Sequence, residues 1–369
     1  MESMIPHPSH FINKDDIATI RNVAAEAERS GMLHEDQLQV IYELDWFKLL
    51  VPQVYGGLQT SLPQLVRLQE AISYADGSTG WVVTLCCGAG WFGGFLPKET
   101  ATEVFNTANV CLAGSGYPGG TAEITDDGYI INGTWRYASG AHHATHITAN
   151  CIITQNGEKV LGEDGERLIL PFIFDKKDVA ILPAWKYIGM VATGSDSFAI
   201  KDLKVAKDRQ FKIDPSATLI NEPLYQYPFL QLAEATLAVN ISGIAIHFMD
   251  LCHQVFEERG NGPRITLAQK DLIFAELNAL TERLTEQRAV FFKAVDASWD
   301  AIQVDAIIPD EFLKAVSVTS RQLAKLSREI VDKLYPYCGL IAASTQTEIN
   351  RAWRDLHTAS QHALLTFEN

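Results

Sequence analysis

Between about Val110 and Val205 the apolar residues of this chain recur at every second position, in "TAEITDDGYIINGTWRY", "ANCIITQ", "RLILPFIFD", "VAILPAW" and "SFAIKDLKV", with turn signals such as "DDG" and "NGE" between them. On both sides of this segment the spacing changes to three and four. A period of two requires strands and a period of 3.6 requires helices, so a β-domain must sit between two helical regions. Upstream, "DDIATIRNVAAEAERSGML" opens on acidic residues suited to a helix start. Gly56-Gly57 break the pattern after "LVPQVY", and "SLPQLVRLQEAISYAD" resumes it with Ser61 as cap and Pro63 in the first turn. Downstream, the proline-bearing connector "DPSATLINEPLYQYP" leads into "PFLQLAEATLAVNISGIAIHFMDLCHQVFEE", "TLAQKDLIFAELNALTERLTEQRAVFFKAVDAS", "PDEFLKAVSVTSRQLAKLSREIVDKLY" and a last helix from about Thr345. The expected fold is α+β and mostly α: a helical N-terminal domain over 1–109, a β-barrel-like middle domain over 110–210 and a four-helix bundle over 211–369. The apolar faces of four such helices exceed what one small domain hides, so oligomerisation is expected.

A formal net charge of −15 and the lack of a Lys/Arg run argue against nucleic acid, whose readers need a basic face. Apolar stretches such as "LIAAS" and "WVVTLCCGAGWFGGFL" are too short or too glycine-rich to span a bilayer, and "MESMIPHPSHFINKDD" does not read as a signal peptide. A soluble, cytoplasmic protein is the expectation. Six cysteines, with no CxxC among them, sit in apolar surroundings and read as reduced core thiols. The densest run of chemistry-bearing residues is "GTWRYASGAHHATH", Gly133 to His146. Zinc asks for four N/S ligands with defined partners, which no nearby Cys or carboxylate supplies, so His142, His143 and His146 are expected to line a turn, without a metal.

Local stretches carry a resemblance that covers nearly the whole chain. "VPQVYGG" looks like P-x-x-Y-G-G, "GYIINGTWRYASGAHHA" like a flavin-passing strand, "GMVATGSDSFAIKDLKVAKDR" like the segment that follows it, and "NRAWRDLHTASQHA" like an R-x-x-RD helix start. Together they resemble the acyl-CoA dehydrogenase superfamily. "DGSTGWVVTLCCGAGW", "TWRYASG" and "RAWRDLHTASQHA" are closer to its two-component flavin monooxygenases, the 4-hydroxyphenylacetate and steroid-phenol hydroxylase type, than to true dehydrogenases. The resemblance implies a homotetramer that takes reduced flavin from a separate flavin reductase, adds O2 at the flavin C4a position and transfers one oxygen to an aromatic substrate.

The resemblance also assigns residues. Trp135 would cover one face of the flavin, although by itself it reads as a core aromatic of the β-domain. Ser139 offers a hydroxyl, Gly140 lets the main chain approach the ring, and Ser115 in "LAGSGYPGG" and Ser195 in "ATGSDSF" complete the cofactor contacts. True dehydrogenases keep a catalytic glutamate near the end of the last helix, where "HTASQHALLTF" has no carboxylate. His362 takes its place as catalytic residue, an imidazole suited to act as base on a phenol or as donor to the oxygenated flavin. His357 is read as its support on the substrate side, together with Trp81 and with Ala89, which stands where the phenol hydroxylases carry a histidine. That loss puts a phenolic substrate in doubt. Arg354 and Asp355 read as architectural. "ERGNGPRITLAQKD" and "YPYCGLIAAS" fit the dehydrogenase FAD motifs poorly, which favours loosely held FMN or FAD; Arg264 reads as a solvated loop residue or a phosphate contact. Two rivals remain: an acyl-CoA dehydrogenase with Glu234 as base, and a catalytically idle flavin-binding homologue.

Overall fold

The computed structural model describes residues 5–367 apart from 261, 263, 264 and 306; Arg264 therefore lies outside the described residues. The N-terminal helices are α1 (Lys14–Ser30), α2 (Glu35–Glu43), α3 (Leu62–Ala75), α4 (Gly77–Gly90) and α5 (Lys98–Phe105). Their ends follow side-chain chemistry. Asn13 accepts from the amide of Asp15, His34 and Gln37 form a reciprocal capping box on α2, and Asp76 accepts from the amide of Thr79 to start α4. Gly31 ends α1 at φ 74°, a left-handed conformation that glycine adopts without strain.

The strands are β1 (Leu112–Ile124), β2 (Gly128–Ala138), β3 (His146–Gln155), β4 (Glu158–Lys159), β5 (Ile169–Asp175), β6 (Ala180–Leu182) and β7 (Asp196–Ala206). They form one sheet in the order β4-β3-β1-β2-β7-β6, with β5 also paired to β3. β1 runs parallel to β3, and its register slips between Ser115 and Gly120. A second irregularity lies in β2 between Trp135 and Ala138. Both bear on the site.

The C-terminal part comprises α6 (Pro223–Gln226), α7 (Phe229–Gly260), α8 (Leu267–Asp305), α9 (Asp310–Cys338), α10 (Leu340–Ala343), α11 (Glu348–Ala359) and α12 (Ala363–Thr366). α7 is the central element and packs on α3, α4, α8, α9 and α11. By length and composition it could cross a membrane, which corrects the expectation that no stretch is long enough; 78% of its most apolar window is buried inside the molecule, as befits a core helix. Small residues let the layers close: a side chain on Gly243 of α7 would collide with the Glu70 carbonyl of α3 at 2.3 Å. The six cysteines are free and buried.

Candidate active site

The three regions meet around a cavity of about 290 Å³. Thr84, Leu85, Gly88 and Ala89 line it from α4, and Leu232, Ala233, Thr236 and Leu237 from α7. In each helix these positions are spaced to share one face. The sheet contributes Gly114, Ser115 and Gly116 at the slip in β1, with Thr148, Ala149 and Asn150 of β3 beside them. His362 and Leu364 close the cavity.

His362 sits in the break between α11 and α12 with extended backbone (φ −64°, ψ 128°). Its Nδ1 is buried without a hydrogen-bond partner. Burial pulls the imidazole below its usual pKa, so the ring is neutral at pH 7 and presents one N–H and one lone pair. The indole of Trp81 lies 6.1 Å from it, centroid to centroid.

From Trp81 a hydroxyl chain runs into the β-domain. The Trp81 Nε1–H donates to Ser139 Oγ (3.2 Å), Ser139 Oγ lies 2.7 Å from Ser195 Oγ, and Ser195 Oγ 2.6 Å from Thr193 Oγ1, which donates to the Met190 carbonyl (2.6 Å). An indole N–H can only donate and a carbonyl can only accept, so the direction is fixed: Trp81 to Ser139 to Ser195 to Thr193 to Met190. Every hydroxyl proton is committed, and Ser139 is left with an oxygen lone pair to offer.

Of the residues singled out in the sequence, the structure brings Ser139, Ser195, Trp81, Ala89, Ser115 and His362 to this junction. Others it places elsewhere. Trp135 has no accessible surface: it stacks on Phe198 at 5.1 Å and 12°, and its N–H donates to the Asn150 carbonyl. It is a core aromatic of the β-domain and cannot cover a cofactor. The irregularity in β2 breaks the two-residue alternation, and the aromatic it leaves outside is Tyr137, at φ 67° and 55% exposed, edge-on to Trp185 and Tyr187. Sequence reasoning missed Tyr137, although its place two residues before Ser139 was a usable signal. Gly140 has φ 74°, its amide donates to the Thr193 carbonyl, and an added Cβ would lie 2.6 Å from Cys86 Sγ. The close approach it permits here is to α4.

His357 is also displaced. One ring nitrogen meets the Trp353 carbonyl (2.7 Å), the other Asp332 of α9 (2.8 Å), and the ring packs on Trp353 at 4.2 Å. It ties α11 to α9, five residues before His362 and within the helix that ends before it. Glu234 is fully buried, accepts from Ser317 and pairs with Arg321 at 2.8 Å. It joins α7 to α9 and is not poised as a base. The three histidines are engaged separately: His142 with Asp196 at 2.8 Å, His143 as acceptor from the Leu33 amide, His146 with Thr145 and Asp175. Burial holds His143 down at about 4.

Arg354 and Asp355 do not pair with each other. Arg354 binds Asn350, Glu28 and the Ile188 carbonyl, and Asp355 accepts from the Met190 amide. Together they clamp the 188–190 turn of the β-domain onto α11.

Residues 17–96 match the family described as acyl-CoA dehydrogenase, N-terminal domain, and residues 235–367 match acyl-CoA dehydrogenase, C-terminal domain. The chain is 27% identical over 355 residues to an indole-3-acetate monooxygenase of Pseudomonas putida, covering 93% of this chain and 87% of that protein. It is 26% identical over 371 residues to the flavin-dependent monooxygenase oxygenase subunit HsaA of Rhodococcus jostii, covering 94% and 92%. Among solved structures, XiaF from a Streptomyces species in complex with FADH2 and glycerol superposes with a TM-score of 0.86 at 23% identity, covering 97% of this chain and 91% of that one. The chain belongs to the acyl-CoA dehydrogenase family, whose N- and C-terminal domains together match more than half of its length.

Proposed function

We propose that this chain is the oxygenase component of a two-component monooxygenase, which takes reduced FMN or FAD from a separate flavin reductase and, with O2, hydroxylates a flat aromatic substrate. One observation carries the reading: a cavity at the three-domain junction with the unpartnered, buried Nδ1 of His362 in its wall and the serine chain reached from there through Trp81. An orphaned polar atom in a buried position costs stability unless a ligand engages it. The names of the relatives support the same chemistry.

The residues present fit a flavin. Tyr137 with Trp185 and Tyr187 offers an exposed aromatic surface, Ser139 and Ser195 a polar edge, and Ser115 a hydroxyl in the cavity wall. When bound, reduced flavin supplies the two electrons and the activation of O2 that side chains cannot. The protein holds the rest. Trp81 fixes the orientation of Ser139. α4 and α7 exclude water with Leu85, Ala89, Leu232 and Leu237. His362, neutral at pH 7, accepts the proton of a substrate N–H or O–H, or donates its own, at Nδ1.

The dehydrogenase alternative loses its base, because Glu234 is closed on Arg321 and Ser317. The free buried cysteines suit a reducing, cytoplasmic location, and the apolar residues exposed on the bundle suit a homotetramer. The test is His362→Ala, assayed with reductase and reduced flavin. Hydroxylation should fall by about 10²- to 10⁴-fold while flavin affinity stays within about twofold. An unchanged rate would remove His362 from the mechanism.

A further inference from the structure

We infer that the cavity admits uncharged planar aromatics that present an N–H or O–H to His362, and turns away aromatic carboxylates. The inference rests on the assignment of this cavity to the substrate and goes beyond it by naming the class accepted. Among the described lining residues there is no Asp, Glu, Lys or Arg, and His362 is the sole titratable side chain. A carboxylate placed here would meet no cation, and an unpaired buried charge is strongly disfavoured.

Nor can the polar lining residues stand in for a cation. Thr236 Oγ1 donates to the Leu232 carbonyl (2.8 Å), Thr148 Oγ1 to the Ala113 carbonyl (3.4 Å) and Asn150 Nδ2 to the Gly116 carbonyl (2.8 Å). Thr84 Oγ1 accepts from Asn240 Nδ2 (2.7 Å) and Ser115 Oγ accepts from the Tyr117 amide (3.3 Å), so each of these two keeps an O–H. The lining therefore offers a ligand the O–H groups of Thr84 on α4 and Ser115 on β1, both neutral and on different elements, and no cation. The charge next along α7, Glu234, already has its partner in Arg321. His362 Nδ1 is thus the one buried polar atom of the lining without a partner among the described residues, and it can meet one donor or acceptor of a ligand. Beyond Thr84, the methyl of Ala89 and the bare Gly88 leave the α4 wall apolar. At about 290 Å³ the cavity is at the small end of ligand sites, which fits one or two fused rings rather than an extended acyl-CoA.

Two probes of nearly the same shape separate charge from size: indole-3-acetamide and indole-3-acetate. Their binding to the full-length, flavin-loaded protein is measured by anaerobic equilibrium dialysis at pH 7.5. The amide should bind at least about tenfold more tightly than the acid. Thr236→Lys, which places a cation on the α7 wall, should abolish or reverse that preference; if the variant does not fold, the comparison on the parent protein still decides. Equal or tighter binding of the acid to the parent protein overturns the inference, and so does failure of both probes to bind. Reduced-flavin binding and O2-dependent product formation are followed separately. Their absence would sink the monooxygenase assignment while leaving the amide-over-acid preference readable from dialysis alone.

Discussion

Ser139 is where geometry says more than residue type. Its proton is committed to Ser195 because the chain from Trp81 to the Met190 carbonyl can run in only one direction. What it offers a ligand is a lone pair, which suits the N–H of a reduced flavin better than the bare ring nitrogen of an oxidised one. Ser195→Ala frees the Ser139 proton to point outward. The ratio of oxidised- to reduced-flavin Kd should then shrink by about tenfold, one charge-free hydrogen bond's worth, read by fluorescence titration in both redox states. A ratio that does not move would mean that Ser139 does not face the flavin. His362 gives a second test at this scale. Burial lowers its pKa, so its neutral form persists to more acid pH than free imidazole. Activity that needs the neutral ring should be full at pH 7 and fall only below about 6.5, and this limb should vanish from the residual rate of His362→Asn.

At the scale of elements, α11 serves both sides of the site. Its C-terminal end leads to His362, and its Arg354 and Asp355 hold the turn from which Met190 and Thr193 anchor the serine chain. Gly189 is required there, since a side chain would overlap the Arg354 carbonyl at 2.1 Å. Asp355 is pushed up to about 7, chiefly by burial and then by the nearby Asp76, against the Met190 amide and Arg351. The folded protein therefore keeps a proton that the unfolded chain releases near 3.8, so this group's contribution to stability declines as pH rises from about 4 to about 7 and is level above. Asp355→Asn keeps an oxygen for the Met190 amide and removes that slope. Its Tm relative to the parent should improve from pH 5 to pH 8, whereas Asp355→Ala should be less stable by ~1–3 kcal/mol, with a buried amide left unmatched. The R-x-x-RD signal was legible in the sequence as architecture, but not its target, because Met190 is more than a hundred positions away. Ser139, Ser195, Ala89 and His362 were legible for a related reason: each lies in a short local motif. Trp135 was misplaced because a strand irregularity cannot be read from alternation, and the α7 wall was invisible because a helix apolar all round has no face to detect.

For the whole molecule, the three regions matter because the site belongs to none of them. Each supplies one wall, so the cavity exists only while the α7 core holds the N-terminal helices, the sheet and the bundle together. That core leaves apolar side chains outside. Leu340 in the short α10 is 89% exposed, Leu267 at the start of α8 75% and Ile307 between α8 and α9 74%, with Val290 and Val318 exposed on the flanks of those two long helices. Exposed apolar residues of this size cost a monomer solubility, and burying them must outweigh the mutual repulsion of copies that each carry a formal charge of −15. Burying them between copies offsets that cost, and a closed tetramer leaves no copy with an open face. Sedimentation velocity should give a single species of four chains that persists at high salt, as apolar contacts do when charge is screened. Leu340→Asp should shift it to smaller species with its helical circular dichroism unchanged, since Leu340 lies in the short α10 and packs on little within its own chain. If the parent protein sediments as a monomer, the exposed bundle residues have another purpose and the tetramer is wrong.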